Sequence, residues 1–238
     1  MIKTAMVMAA GHGTRMRPLT NDRSKAMVEV GGKPLIDHML DRLAEVGVQR
    51  AVVNVHAHAD HLEAHLKARK TGPEIIISDE RETLLETGGG VVKALPLLGN
   101  DPVLICNIDA IWHPFAPVLE HLMTQWNPRT MDELLLCARA DWSLGYAGKG
   151  DFNIHEDARL TRRDGESADH VYAGIQIFKP VLAKSFKLER FSRNKIWDET
   201  LKRRKLFGVE LPGYWMHVGD PRAVTAAEAV LKEAVQHG

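Results

Sequence analysis

Over its first 110 residues the chain alternates short, almost unbroken apolar runs with segments of helical period, and few folds accept that alternation. The runs at 4–10, 51–55, 74–78 and 102–106 have strand length, and helices are predicted at 35–46, 58–69, 90–97 and 117–126. A strand wetted on one face alternates apolar with polar residues. These strands do not, so their sheet is covered on both sides. The expected class is therefore α/β, a Rossmann-like, mainly parallel mixed sheet flanked by helices. Beyond Glu133 the pattern loosens. A further buried strand is expected at 134–138, shorter and partly antiparallel pieces at 151–163 and 171–178, and helices at 192–203 and 221–234. No internal repeat, low-complexity linker or Pro/Gly hinge divides the chain, so a single domain over 1–238 is expected, with a small β subregion in its second half.

Charge narrows the range of partners. Thirty-one basic and thirty-one acidic residues cancel, which argues against a generally cationic nucleic-acid binder or a polybasic membrane-surface protein. No run approaches the roughly 18 apolar residues of a membrane span, and the first apolar stretch passes straight into Gly11-His12-Gly13, as a strand does before a loop. Cys106 and Cys137 sit in apolar runs without a CxxC spacing, which suits a reduced, cytoplasmic protein. The neutrality is an average. Residues 1–33 carry six basic side chains (Lys3, Arg15, Arg17, Arg23, Lys25, Lys33) against two acids (Asp22, Glu29).

That excess surrounds the loop after the first strand, Gly11-His12-Gly13-Thr14-Arg15-Met16-Arg17, with Lys25 opening the next extended segment. Glycines at a strand exit let backbone N–H groups approach an anion, and arginine or lysine then neutralises phosphate oxygens. A polyphosphate site is expected. The loop is not of the Walker type, and Met16 occupies the third glycine position of the dinucleotide fingerprint. Asp109 ends the run 102–106 through Asn107-Ile108, at the C-terminal end of a parallel strand where open α/β sheets present ligands. A carboxylate there suits Mg²⁺, which takes oxygen ligands and shares its shell with phosphate and water. Glu86-Thr87-Gly88-Gly89-Gly90 is expected between a strand and a helix, with close backbone approach and free N–H groups.

The stretch Ala9 to Thr20 with Lys25 resembles the signature of the sugar-1-phosphate nucleotidylyltransferases. The segments Glu86 to Gly90, Asn107-Ile108-Asp109, Gly150-Asp151-Phe152 and Trp215-Met216-His217-Val218-Gly219 follow in the family's order. Within that family the chain looks most like the N-acetylmuramate-1-phosphate uridylyltransferases of bacterial cell-wall recycling. The resemblance implies the nucleotide-diphospho-sugar transferase fold, with a nucleotide-binding half over about 1–110 and a sugar-binding half over about 111–238. It implies Mg²⁺-dependent attack of a sugar-1-phosphate oxygen on the α-phosphorus of an NTP, UTP with N-acetylmuramate 1-phosphate being favoured, in a monomer or small homo-oligomer without nucleic-acid or membrane partners. Mannose-1-phosphate guanylyl transfer, or a silent nucleotide-sugar sensor, are the alternatives.

By the same resemblance Arg15 neutralises the leaving pyrophosphate, and Lys25 bridges the α-phosphate and the sugar phosphate. Ala10, Gly11, Gly13 and Thr14 hold the nucleotide, with Glu86 and Gly88 near base and ribose. Asn107, Asp151 and Gly174 contact the sugar, and Asp109 binds the metal. Two positions depart from the family. Ile108 replaces a common glycine, and His217 stands where a second metal carboxylate is usual, with Asp220 three residues on. Imidazole is a poor Mg²⁺ ligand and a better one for softer divalent ions, so Asp109 is expected to hold Mg²⁺ with phosphates and water, and His217 to stand behind the ion or to replace the carboxylate by hydrogen bonding. Other features are expected to be structural. His56, His58, His61 and His65 lack the HExxH pattern of a zinc helix, Lys202 to Lys205 suit a helix C-terminus, and the five tryptophans have no regular spacing.

Overall fold

A computed structural model describes residues 2–237. Its first half contains β1 (Thr4–Met8), the short pair β2 (Glu29–Val30) and β3 (Lys33–Pro34), β4 (Arg50–Val55), β5 (Glu74–Asp79), β6 (Val103–Asn107) and β7 (Ala110–Pro114). The helices α1 (Leu35–Glu45), α2 (Ala59–Ala68) and α3 (Glu86–Leu98) lie between them. The second half contains α4 (Val118–Thr124), β8 (Glu133–Arg139), β9 (Ser143–Leu144), β10 (Phe152–Ile154), β11 (Leu160–Arg162), β12 (His170–Phe178), α5 (Asn194–Lys202), β13 (Leu206–Glu210), β14 (Gly213–His217) and α6 (Pro221–His237).

β1 pairs in parallel with β4 and with β6, setting Val7 beside Val53 and Cys106, and β4 pairs in parallel with β5. β12 then runs antiparallel to both β6 and β8, and β13 runs parallel to β8. The result is the expected mixed sheet with a parallel centre. Its central strands are buried on both faces, which is why they read as continuous apolar runs. α1 covers one face with Leu35, Ile36, Met39, Leu40 and Leu43, a 3.6-period stripe; each such side chain contributes about 2 kcal/mol on burial. Cys106 and Cys137 are buried free thiols. Among the described residues no helix is long and apolar enough to cross a membrane.

Two features of the fold were not expected from the pattern. A second sheet, in the order β7–β14–β9, begins immediately after Asp109, and β14 pairs antiparallel with β7 so that His217 lies opposite Ala110. The strands β7, β9 and β14 are only five, two and five residues long, so neither period nor apolar length announces them. α3 begins at Glu86, not at 90, because its glycines, weak helix formers by propensity, are required there by packing. A third feature is local. Gly174 has φ +90° at the register shift in β12, where a Cβ would meet Ala110 Cβ at 2.9 Å and Asn107 Cβ at 3.3 Å.

Candidate active site

A cleft of about 400 Å³ opens at the C-terminal ends of β1, β4 and β6. One buried pair of side chains frames it. The Ala9 and Ala10 N–H groups donate to Asn54 Oδ1 (2.7 and 3.3 Å), Asn54 Nδ2 donates to Glu80 Oε1 (2.8 Å), and Glu80 Oε2 accepts from the Leu85 N–H (3.1 Å). Asn54 and Glu80 are thus satisfied in the interior while tying the exit of β1 to the start of α3. Ala10, expected at the nucleotide, lines the cleft with its N–H engaged by Asn54. Asn54 and Glu80 were not singled out in the sequence; their one signal is a polar residue at the end of each apolar run.

The glycine loop is built unevenly. A Cβ on Gly11 would meet nothing within 4 Å, and Gly11 lines the cleft. Gly13 has φ +63°, and a Cβ there would lie 2.9 Å from Lys25 Cβ. Its carbonyl accepts from Thr20 Oγ1 (2.8 Å). Gly13 therefore lets the segment carrying Lys25 close against the loop. Thr14 and Arg15 lie exposed on a single 3₁₀ turn anchored by fully buried Met16. Lys25 also opens a 3₁₀ turn, capped by Ser24 Oγ accepting from the Ala26 N–H, and not the extended segment expected.

Lys25 Nζ donates to Asp109 Oδ2 at 2.6 Å, and His217 Nδ1 lies 3.9 Å from the same oxygen. Burial pushes the Asp109 pKa up, but the neighbouring Lys25 and His217 charges and the Lys25 hydrogen bond outweigh it and hold the carboxyl below its ordinary value. Burial, with the Lys25 and Arg15 charges, pushes the His217 imidazole below its ordinary value despite the pull of Asp109. Arg15, expected at the leaving pyrophosphate, lies near enough for its charge to act on His217. One carboxylate with one imidazole fits a divalent cation that arrives with phosphate oxygens; among the described residues no three His, Cys, Asp or Glu form a complete metal cage.

The glycine run of α3 corrects an expectation. Glu86 (φ +60°) and Thr87 line the cleft, and Glu86 Oε1 accepts from Arg190 Nε at 2.8 Å. The Gly88 and Gly89 N–H groups both donate to the Phe191 carbonyl (2.9 and 3.3 Å), so they are not free for a ligand. A Cβ on Gly88 would overlap the Phe191 ring, and one on Gly89 the Glu189 carbonyl. These glycines seat the 189–193 segment, whose Ser192 forms a cleft wall. The Arg193 N–H donates to Thr87 Oγ1 (2.9 Å), and its Nη2 to Tyr172 Oη (2.8 Å). Behind it lies a buried polar layer in which Glu133 accepts from Gln176 Nε2 (2.6 Å) and Thr200 Oγ1 (2.7 Å) and is pushed up to about 7 by burial.

On the expected sugar side, Asn107 and Ile108 line the cleft, and Asn107 Oδ1 is buried without a partner, an acceptor in want of a donor. The Ile108 side chain, 5% exposed, is absorbed into the core. Asp151 and Gly174 are not on the cleft wall. Asp151 Oδ2 accepts from the Tyr172 N–H (3.0 Å) and pins β12, while Gly174 gives Asn107 room. Asp220 Oδ1 accepts from the Ala223 N–H at the start of α6 (3.0 Å). His65 Nε2 pairs with Asp37 (2.9 Å), and the His12 and His56 rings meet edge to face at 4.9 Å.

A nucleotidyl transferase family model matches residues 4–141. Over 237 residues, 98% of each chain, the sequence is 50% identical to the N-acetylmuramate alpha-1-phosphate uridylyltransferase of Caulobacter vibrioides. It is 26% identical to the mannose-1-phosphate guanylyltransferase catalytic subunit beta of Drosophila melanogaster, over 92% of this chain and 60% of that one. Among solved structures, apo UDP-glucose pyrophosphorylase superposes with a TM-score of 0.82 at 15% identity, covering 98% of this chain and 99% of that one, a likeness of fold.

Proposed function

The chain belongs to the nucleotidyl transferase family as a sugar-1-phosphate nucleotidyltransferase, and from that premise we propose that it transfers uridylyl from UTP to N-acetylmuramate 1-phosphate, releasing pyrophosphate. The observation that carries the choice of substrates is the 50% identity over 98% of both chains to a uridylyltransferase of that specificity. For the chemistry, support comes from a cleft that sets open space at Gly11 beside the Lys25–Asp109 pair.

In this reading an oxygen of the sugar 1-phosphate attacks the α-phosphorus of UTP, and the bond from that phosphorus to the bridging oxygen breaks, with the electron pair leaving on pyrophosphate. Such a displacement depends on positioning and charge more than on covalent participation. Gly11 lets the phosphates lie against the loop backbone. Lys25 exchanges Asp109 for phosphate oxygens and holds the α-phosphate and sugar phosphate together, while Arg15 balances charge on the departing pyrophosphate. Asn107 offers its unpartnered Oδ1 to a sugar hydroxyl or amide. A divalent cation, Mg²⁺ in the first instance, would be held by Asp109 and supplies further charge neutralisation when bound. The free, buried thiols suit a cytoplasmic setting.

The test is a matrix of UTP, GTP, dTTP, CTP and ATP against several sugar 1-phosphates with Mg²⁺, following pyrophosphate. UTP with N-acetylmuramate 1-phosphate is expected to turn over fastest. Preference for GTP with mannose 1-phosphate would replace the substrate assignment, and no turnover with any pair would leave a binding protein.

A further inference from the structure

Arg193 is a buried cation that the fold does little to satisfy. It is 3% exposed, yet among the described residues no carboxylate lies within ion-pair distance of it, and its Nε and Nη1 are buried without hydrogen-bond partners. Its charge acts on buried Glu133, but the Glu133 oxygens are taken by Gln176 and Thr200. Taking a guanidinium out of water is costly. One hydrogen bond to Tyr172 Oη and stacking on the Tyr172 and Trp197 rings, each with its centroid 5.1 Å from Cζ, recover only part of that cost. An apolar side chain of similar size would suit the fold as well or better.

What Arg193 does join is two sides of the cleft. Its backbone N–H holds Thr87, and its neighbour Ser192 lines the same wall, where base and ribose are read to lie. Its guanidinium holds Tyr172 on β12, and two residues further on Gly174 packs against Asn107. β12 runs beside β6, which ends at Asn107 and leads to Asp109. The anchorage on β12 is firm. Trp197 Nε1 donates to Gln176 Oε1 on that strand (3.1 Å), and the Tyr172 N–H is held by Asp151.

We propose that Arg193 is a positioning residue for the transfer, which keeps the wall at Thr87 and Ser192 in register with the reaction centre at Asp109 by linking that wall to β12. The inference rests on the nucleotidyl-transfer reading of the cleft. The local shape of the wall does not depend on the guanidinium. Thr87, Gly88 and Gly89 are engaged by backbone groups of Phe191 and Arg193, which a change of the Arg193 side chain leaves in place. Losing the guanidinium therefore spares UTP binding and loosens the alignment of the bound α-phosphorus, an effect read in kcat.

The experiment compares Arg193→Met, Tyr172→Phe and the double variant as whole chains, with Mg²⁺ and the best substrate pair, following pyrophosphate release, UTP binding by equilibrium dialysis and urea unfolding. Arg193→Met is expected to lose about 30-fold in kcat, less than the roughly 100-fold that a misplacement of about 1 Å can cost. Its Kd for UTP should stay within about threefold and its urea midpoint should be unchanged or raised. Tyr172→Phe should lose about tenfold in kcat, and the double variant no more than Arg193→Met, because both changes break the same bond. A midpoint that falls in Arg193→Met while kcat per folded molecule keeps the wild-type value gives the residue to the fold and overturns the inference. Unchanged kcat in Tyr172→Phe overturns it too, and decides the matter should Arg193→Met not fold; so does additive loss in the double variant. A wild-type chain that releases no pyrophosphate with any pair overturns both this inference and the reading of the cleft.

Discussion

The molecule contains two glycine runs that look interchangeable as strings of residues and behave differently as structure. In Gly11-His12-Gly13 the first glycine faces empty space. In Gly88-Gly89-Gly90 every Cβ would strike a neighbour: the Phe191 ring, the Glu189 carbonyl and Glu80 Oε1 respectively. A glycine that the folded chain itself requires has its reason in another part of the protein. One that the folded chain does not require, on the wall of a cleft, has its reason in something that binds there. On the proposed reading Gly11, on the cleft wall, belongs to the substrate, while Gly13 and the second run belong to the fold.

The largest expected effect lies beside the first run. Lys25→Ala removes the cation that shares its charge with Asp109, and kcat should fall about 10³-fold, roughly 4 kcal/mol of transition-state stabilisation. Stability should fall by about 2 kcal/mol, because the pair is only 12% and 18% exposed and the carboxylate loses its ammonium. Stopped-time pyrophosphate release and urea unfolding on the same preparation separate the two. A variant that unfolds instead of losing turnover would make the first region structural too, and the contrast would be lost.

Gly89→Ala should produce the mirror result. The added methyl meets backbone, not a flexible side-chain end, so the 189–193 segment must shift or α3 must fray, a cost of about 3 kcal/mol set against the better helix propensity of alanine. The urea midpoint should fall accordingly. Any change in KM should follow from displacement of Ser192 and Thr87. Full stability with altered kinetics would instead return this run to the ligand, as its sequence suggested.

Much of this was legible before the structure. The parallel centre announced itself because strands buried on both faces read as nearly continuous apolar runs, and Lys25 and Asp109, 84 residues apart in sequence, do meet at the cleft. What stayed illegible depends on long-range packing. Nothing local tells that the Gly88 N–H is engaged by Phe191, that Asp151 pins β12 instead of facing the cleft, or that Asn54 and Glu80 tie three loops from the interior. β7 and β14 were missed for a related reason. Their five-residue strands owe their form to each other and to the turn at Asp109, not to their own period.

The smallest expected effect is the sharpest test of the contrast. Gly11 does not lie in the left-handed region, and a Cβ there touches nothing, so Gly11→Ala asks nothing of the folded chain. Its lower unfolded-state entropy should leave stability unchanged or raise it by about 0.5 kcal/mol. The same methyl projects from the cleft wall where the phosphates are read to lie. KM for UTP should therefore rise about tenfold, with KM for the sugar 1-phosphate moving less than about twofold, and UTP binding measured by titration calorimetry should weaken in proportion. Were Gly11→Ala to lower the urea midpoint as far as Gly89→Ala, both runs would serve the fold. An unchanged midpoint with unchanged UTP affinity would show that the open space at Gly11 is not where the nucleotide lies, and the triphosphate would have to be sought farther along the loop, toward Thr14 and Arg15.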